Sequence, residues 1–204
     1  MSIPTISIIC VTYKQNTALK VFVNSILNQT QGNWQLTVVH DGPCLEFDLL
    51  LKGFLSEGET RISHFNTPIR FNDYGHSLRE QAIGKITGDY VLITNGDNYY
   101  VPILIEALTK KITDTDPDVV MFDMIHSHHH PGGRPLRSYS FFRTQYQRQD
   151  IDIGAAAVRT SLARKAGFRD KTFEGDATYF EDVARACVGP LKIAKIPQVL
   201  FVHN

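Results

Sequence analysis

Ile6 to Val11 is an apolar run carrying one Cys and bounded by polar residues, the pattern of a strand covered on both faces and placed centrally in a parallel sheet. Leu19, Phe22, Val23, Ile26 and Leu27 then fall at i, i+3, i+4, i+7 and i+8, one face of a helix for which Asn16 or Thr17 is a suitable cap. Trp34 to His40 predicts a second strand, ended by the turn chemistry of Asp41-Gly42-Pro43, and Arg61 to Asn66 a short third one. Gly75 to Lys85 has the pattern of a weakly amphipathic helix. Tyr90 to Thr94 is another apolar, β-branched run, followed by a polar cluster and by Pro102, which opens a helix with Leu104, Ala107, Leu108 and Ile112 on one face. Val119 to Ile125 predicts a further buried strand. Ser127 to Asp150 has no clean period. Regular pattern resumes at Ile151 to Val158, in a short helix over Ser161 to Lys165, and in a helix around Phe180 to Cys187. Leu191 to Ile196 and Val199 to Val202 predict two closing strands.

The βαβαβ alternation predicts an α/β fold: a doubly wound, mostly parallel sheet flanked by helices. At 204 residues, with neither internal repeat nor linker, the chain is expected to form a single domain. A formal net charge of +0 argues against a general nucleic-acid partner. Cys10, Cys44 and Cys187 are odd in number and lack CxxC spacing, which suits reduced thiols in the cytoplasm. No apolar stretch approaches the ~18 residues of a membrane span. The expected location is cytoplasmic, with peripheral attachment at the inner membrane face compatible with it.

Polar residues recur where strands should end: Thr12-Tyr13, Asp41, Asn95-Gly96-Asp97-Asn98 and His203, with Arg79 and Glu181-Asp182 on helices. In an open α/β sheet, ligands are met beyond the carboxyl ends of the strands. Taken singly, each has a plain structural reading: Asp41 and the Asn/Gly/Asp cluster as turns, Arg79 as a solvated helix charge, His203 as a chain-end residue. His126 and His128 to His130 invite a zinc reading, but no second ligand cluster accompanies them at helical or CxxC spacing, and a solvated loop is the expectation. Arg134, Arg137, Arg143 and Arg148 with Tyr139, Phe141, Phe142 and Tyr146 mimic a basic-aromatic nucleic-acid surface.

In order and spacing, ISIICVTYKQ, LTVVHDGP, SLREQAIGKITGDYVLITNGDNYYVP, IGAAAVR and YFEDVARA together resemble the family 2 glycosyltransferases with the GT-A fold. The resemblance spans nearly the whole chain and implies a nucleotide-binding half over about residues 1–100 and an acceptor half over about 101–204, with a further tail expected after Asn204. It implies that Thr12 and Tyr13 line the nucleotide pocket, that Asp41 accepts a hydrogen bond from the base (uracil suits it, thymine almost equally), and that Arg79 faces the diphosphate. Asp97 matches the second carboxylate of the family's DxD triplet, and with His203 it would hold Mn²⁺ or Mg²⁺. Asn95 stands where the first carboxylate is usual and can offer a hydrogen bond at the ribose or a neutral oxygen ligand. The basic-aromatic stretch falls on the acceptor side.

The implied reaction is inverting transfer from a nucleotide-sugar, a UDP-sugar by the Asp41 argument, to a hydroxyl of a glycan or of a lipid-linked or protein-linked acceptor, as in polysaccharide biosynthesis. The alternative is a GT-A nucleotide- or glycan-binding module that has lost turnover with its first DxD carboxylate. Asp182 is the expected general base. Thr178-Tyr179-Phe180-Glu181 fits a capping box, which gives Glu181 a structural role and sets Asp182 in the first helical turn. No oligomeric state follows from the sequence.

Overall fold

A computed structural model describes residues 3–56 and 58–204. The first half winds β1 (Ile6–Thr12), α1 (Asn16–Leu27), β2 (Trp34–His40), α2 (Leu45–Ser56), β3 (Ile62–Asn66), α3 (His76–Ile83) and β4 (Tyr90–Asn95). The second half adds β5 (Tyr99–Tyr100), α4 (Leu104–Thr115), β6 (Val119–His126), β7 (Ser140–Phe142), β8 (Ala156–Arg159), α5 (Thr160–Ala166), α6 (Gly175–Ala186) and β9 (Ile193–His203), with 3₁₀ turns at Pro131–Gly133 and Ile153–Ala155. The strands form one sheet in the order β3-β2-β1-β4-β8-β6-β9-β5, with β7 paired to β6.

The expected helix-flanked α/β architecture holds, but the sheet is mixed. β3, β2, β1 and β4 run parallel, as do β6 and β9, while β8 is antiparallel to both β4 and β6. Side chains alternate across the central strand. Ile6, Ile8 and Cys10 pack with Phe22, Ile26, Phe47 and Leu108 on one face, whereas Ile9 and Val11 pack with Leu78, Ala82, Phe168 and Val183 on the other. β1 is therefore apolar throughout because both of its faces are covered.

Four expectations change. α2 is a helix that the sequence pattern did not reveal. Leu191–Ile196 and Val199–Val202 are one strand with bulges, not two. The stretch 127–150 is not structureless: β7 pairs with β6, and Arg134 is bound to Asp150. Finally, α1 begins at Asn16 with no side-chain cap, so neither Asn16 nor Thr17 caps it.

Glycine chemistry fixes the entry to α3. Gly75 has φ +83, and a Cβ there would lie 2.8 Å from Val11 Cγ2. Gly75→Ala is expected to destabilise the fold by ~1–3 kcal/mol, through the left-handed backbone and the forced contact with β1. Gly53, inside α2, has open space around it. Gly53→Ala should stabilise by ~0.5–1 kcal/mol. Chemical denaturation of the two variants should give opposite signs.

Candidate active site

Two clefts open at the carboxyl ends of the parallel strands. The first, about 450 Å³, is lined by Thr12, Tyr13, Asp41, Arg70, Asn95 and Asp97 among others. His40, though not in its lining, braces two of the loops around it. Its Nδ1 donates to the Gly42 carbonyl at 2.7 Å, and its Nε2 accepts the Lys14 backbone N–H at 3.2 Å, so one imidazole ties the loop after β1 to the turn after β2. Tyr13 lies between His40 and Arg70, whose guanidinium sits 3.8 Å from the Tyr13 ring centroid. Asp41 does more than end a turn: its two oxygens accept the backbone N–H groups of Phe71 and Asn72 at 2.7 and 2.9 Å, fastening the 70–72 loop over the cleft. Each oxygen keeps a lone pair for a ligand.

The second cleft, about 540 Å³, includes Arg79, Asn95, His126, Asp152, Asp176 and His203 in its walls. Tyr74 and Asn95 belong to both clefts. Where they meet, Arg79 is buried to 2% exposure and is no solvated helix charge. Its Nη2 donates to Asn95 Oδ1 at 2.8 Å, and its Nη1 donates to Asp176 Oδ1 at 2.8 Å and to His76 Nδ1 at 3.0 Å. His76 is itself buried against Phe168 and donates from Nε2 to the Thr172 carbonyl at 3.0 Å, so Nδ1 is left as the acceptor. Gly175 permits the contact, since a Cβ there would lie 2.5 Å from His76 Nε2.

The carboxylate brought to this junction is Asp176, not Asp182. α6 begins at Gly175, so Asp176 occupies its first turn and Asp182 lies well inside the helix. Both Asp182 oxygens are taken, by Arg169 Nε at 2.6 Å and Arg185 Nη1 at 2.8 Å, and neither cleft includes it. The capping box fails for a physical reason: Thr178 Oγ1 donates to Asp170 at 2.7 Å, and Glu181 pairs with Arg148. Three such bonds, the Thr172 backbone N–H foremost, hold the Asp170 carboxyl down to about 2. The Thr-x-x-Glu spacing masked a helix that starts a turn earlier, and the usable signal was Glu174-Gly175-Asp176 ahead of Tyr179 and Val183.

β9 delivers His203 beside the loop after β4. Tyr99 pairs with Val202, and Asn204 donates to Asn98 Oδ1 at 3.1 Å and to the Asp97 carbonyl at 2.8 Å. Among the described residues, Asp97 Oδ1, Thr12 Oγ1 and Arg79 Nε are buried without a hydrogen-bond partner. Asp97 lines the first cleft and His203 the second; the orphaned carboxylate oxygen and the imidazole are donor types that a divalent cation takes.

The sequence matches the model of glycosyl transferase family 2 over residues 7–170. The chain belongs to glycosyl transferase family 2. It is 25% identical over 141 residues to the uncharacterized glycosyltransferase YwdF of Bacillus subtilis (strain 168), a match covering 66% of this chain and 50% of that protein. It is 27% identical over 116 residues to the glycosyltransferase GlyA of Streptococcus pneumoniae, covering 57% of this chain and 16% of that one. The chain thus spans half or less of the curated relatives it matches. In fold it resembles S. aureus TarS in complex with UDP-GlcNAc (TM-score 0.78, 13% identity, 97% of this chain and 58% of that one). It also resembles the mannosyltransferase PcManGT of Pyrobaculum calidifontis in complex with GDP-Man and Mn²⁺ (TM-score 0.72, 16% identity, 100% and 57%). These establish the GT-A fold. The family match ends before α6 and β9, so Asp176, Asp182 and His203 stand on geometry alone. No helix among the described residues is long and apolar enough to cross a membrane.

Burial, and then the neighbouring Arg79 charge, lower the His76 pKa below its ordinary value. The native ring therefore stays neutral at a pH where the unfolded chain's histidine takes up a proton. Its contribution to stability is complete above pH ~6.5 and lost as pH falls below that value. His76→Asn should lower stability at pH 7.5 and flatten its decline between pH 6.5 and 5, measured by thermal unfolding across that range.

Proposed function

We propose that the chain is the catalytic core of an inverting glycosyltransferase that takes a nucleoside-diphosphate sugar, with uracil as the base, and passes the sugar to a hydroxyl of a glycan or glycoconjugate. The observation that carries the reading is the buried Arg79, which joins Asn95, at the edge of both clefts, to Asp176. Thr12, Tyr13 and Asp41 form the nucleotide side. Tyr13 offers a ring face once Arg70 yields it, and Asp41 accepts the N–H of the base. The diphosphate lies toward Arg79, Asn95 and Asp97, where the guanidinium opposes charge that grows as the leaving group departs. The acceptor enters the second cleft, and Asp176 removes its hydroxyl proton as the oxygen attacks the anomeric carbon opposite the diphosphate, a single displacement that inverts the centre. Mn²⁺ or Mg²⁺ held by Asp97 and His203 would supply further charge neutralisation to the diphosphate. The competing reading, a binding module without turnover, draws on Asn95, which leaves the DxD triplet one carboxylate short.

Asp176→Asn keeps shape and the hydrogen bond from Arg79 but cannot take a proton. It should retain UDP binding and lose transfer by ~10²-fold or more. Asp182→Asn should cost stability through Arg169 and Arg185 while leaving transfer near the parent rate. Turnover of a UDP-sugar by neither the parent nor any variant would favour the binding module.

UDP at about 100 times its dissociation constant should raise stability by ~2.7 kcal/mol, more at a given concentration with Mn²⁺ than without. Asp97→Ala should remove the metal increment, read by thermal shift. Equal UDP stabilisation in excess chelator would contradict the metal assignment.

A further inference from the structure

His126 ends β6, His128 follows two residues later, and His203 ends β9, where the ladder sets it directly opposite His126. One ring nitrogen from each of the three lies within 4.8 Å of the other two. His126 and His203 stack at 4.4 Å, and His128 stands edge-on to both at 5.0 and 5.1 Å. The ligand cluster that the histidine run lacks in sequence is thus supplied by the far end of the chain.

We infer that His126, His128 and His203 form a three-imidazole site for a borderline divalent cation of the Zn²⁺ class, which binds without nucleotide and without Asp97. It shares His203 with the donor-side ion proposed above but does not depend on that reading. Three imidazoles favour Zn²⁺ or Co²⁺ over Mg²⁺, which prefers oxygen ligands. Around a tetrahedral ion with metal–nitrogen distances of ~2.0–2.1 Å, ligand nitrogens stand ~3.4 Å apart, so the nitrogens must close by roughly an ångström and the stacked rings of His126 and His203 must turn out of their near-parallel arrangement for both lone pairs to meet the ion. Asp152 Oδ2 lies 3.6 Å from His203 Nε2, in the position of a carboxylate that orients a metal-bound imidazole through its other nitrogen. The three rings line the second cleft, so a fourth coordination position can open toward a ligand there. Binding has two local costs: with Nε2 facing Asp152 the ion takes His203 Nδ1, which gives up its 3.5 Å contact with Ser127 Oγ, and a second bond is lost at His126. His126 Nδ1 accepts the His128 backbone N–H at 3.1 Å, and that bond opens whether the ion takes Nδ1 or takes Nε2 and leaves a proton on Nδ1.

The test uses the full chain without a polyhistidine tag, stripped of metal and free of nucleotide. Co²⁺ is titrated while its visible d–d absorption is followed, and Zn²⁺ is then added as competitor. One equivalent of Co²⁺ in a low-symmetry, nitrogen-rich spectrum, displaced by Zn²⁺ and not by Mg²⁺, is the expected result. His128→Ala, at an exposed position, and His203→Gln should each weaken binding by at least ~10-fold, and Asp152→Asn by ~10-fold. Asp97→Ala and the double variant His129→Ala/His130→Ala should bind as the parent does. Loss of binding in the double variant with His203→Gln unaffected would mean a surface histidine tract and overturn the site. A comparable loss in Asp97→Ala would assign the ion to the donor side instead and overturn it equally, as would the lack of saturable binding. Nucleotide is absent throughout, so failure of the glycosyl-transfer reading leaves these outcomes unchanged.

Discussion

A guanidinium with 2% exposure, on α3 against the carboxyl end of the central strand β4, has to be neutralised and hydrogen-bonded, and that requirement organises the site. Arg79 reaches a strand through Asn95, a distant helix through Asp176, and its own helix through His76. Each partner then imposes a condition of its own. Asp176 needs α6 to begin at Gly175, where a side chain would strike His76, and His76 needs the Thr172 carbonyl to fix its tautomer. Removing one partner of a buried ion pair costs ~3–5 kcal/mol, and less here because the Asp176 side chain stays 33% exposed. That exposure opens its carboxylate to the second cleft.

Asn95 changes the balance of this arrangement. A carboxylate at position 95 would give Arg79 a second negative partner and use more of its charge inside the protein. With a neutral amide accepting at 2.8 Å, Asp176 is the only carboxylate hydrogen-bonded to the guanidinium among the described residues, and Arg79 Nε remains without a partner. The same substitution leaves Asp97 as the one carboxylate of the triplet, with a buried oxygen that no protein donor satisfies.

The buried strands were legible because β1, β2, β4 and β6 are covered on both faces or nearly so, which writes them as apolar runs. α2 was not: Phe47, Leu50, Leu51, Phe54 and Leu55 do keep a helical period against the core, but the exposed Leu45 and Leu49 in LEFDLLL overlay it with apolar residues on the other face. Thr12, Tyr13, Asp41, Asn95 and Asp97 do line one cleft, since strand ends in a parallel sheet converge whatever their sequence. Asp176 was hidden by a local pattern, Thr178 to Glu181, that satisfies a capping rule while both side chains bond elsewhere. Local rules rank what a segment can do alone; Asp170 and Arg148 compete for those side chains from outside it.

The meeting of His126 with His203 shows why such convergence escapes a reading along the chain. β6 spends eight residues and β9 eleven over the same ladder. Pairing starts with Val119 opposite Ile193, shifts on either side of Asp123, and finishes with His126 opposite His203. Without those shifts, Leu200 would stand beside His126. Three is an odd number, so the shift also exchanges the faces on which the last β9 side chains emerge. Pro197, which cannot donate to a ladder, falls inside the irregular stretch, where a missing N–H costs least. Lys195 then anchors the bulged region by donating to Asp123 at 2.6 Å and to the Thr144 carbonyl at 2.8 Å. The bulge is therefore what sets His203 rather than an apolar side chain at the wall of the second cleft, and its position is written in a proline and a lysine that no ligand needs to touch.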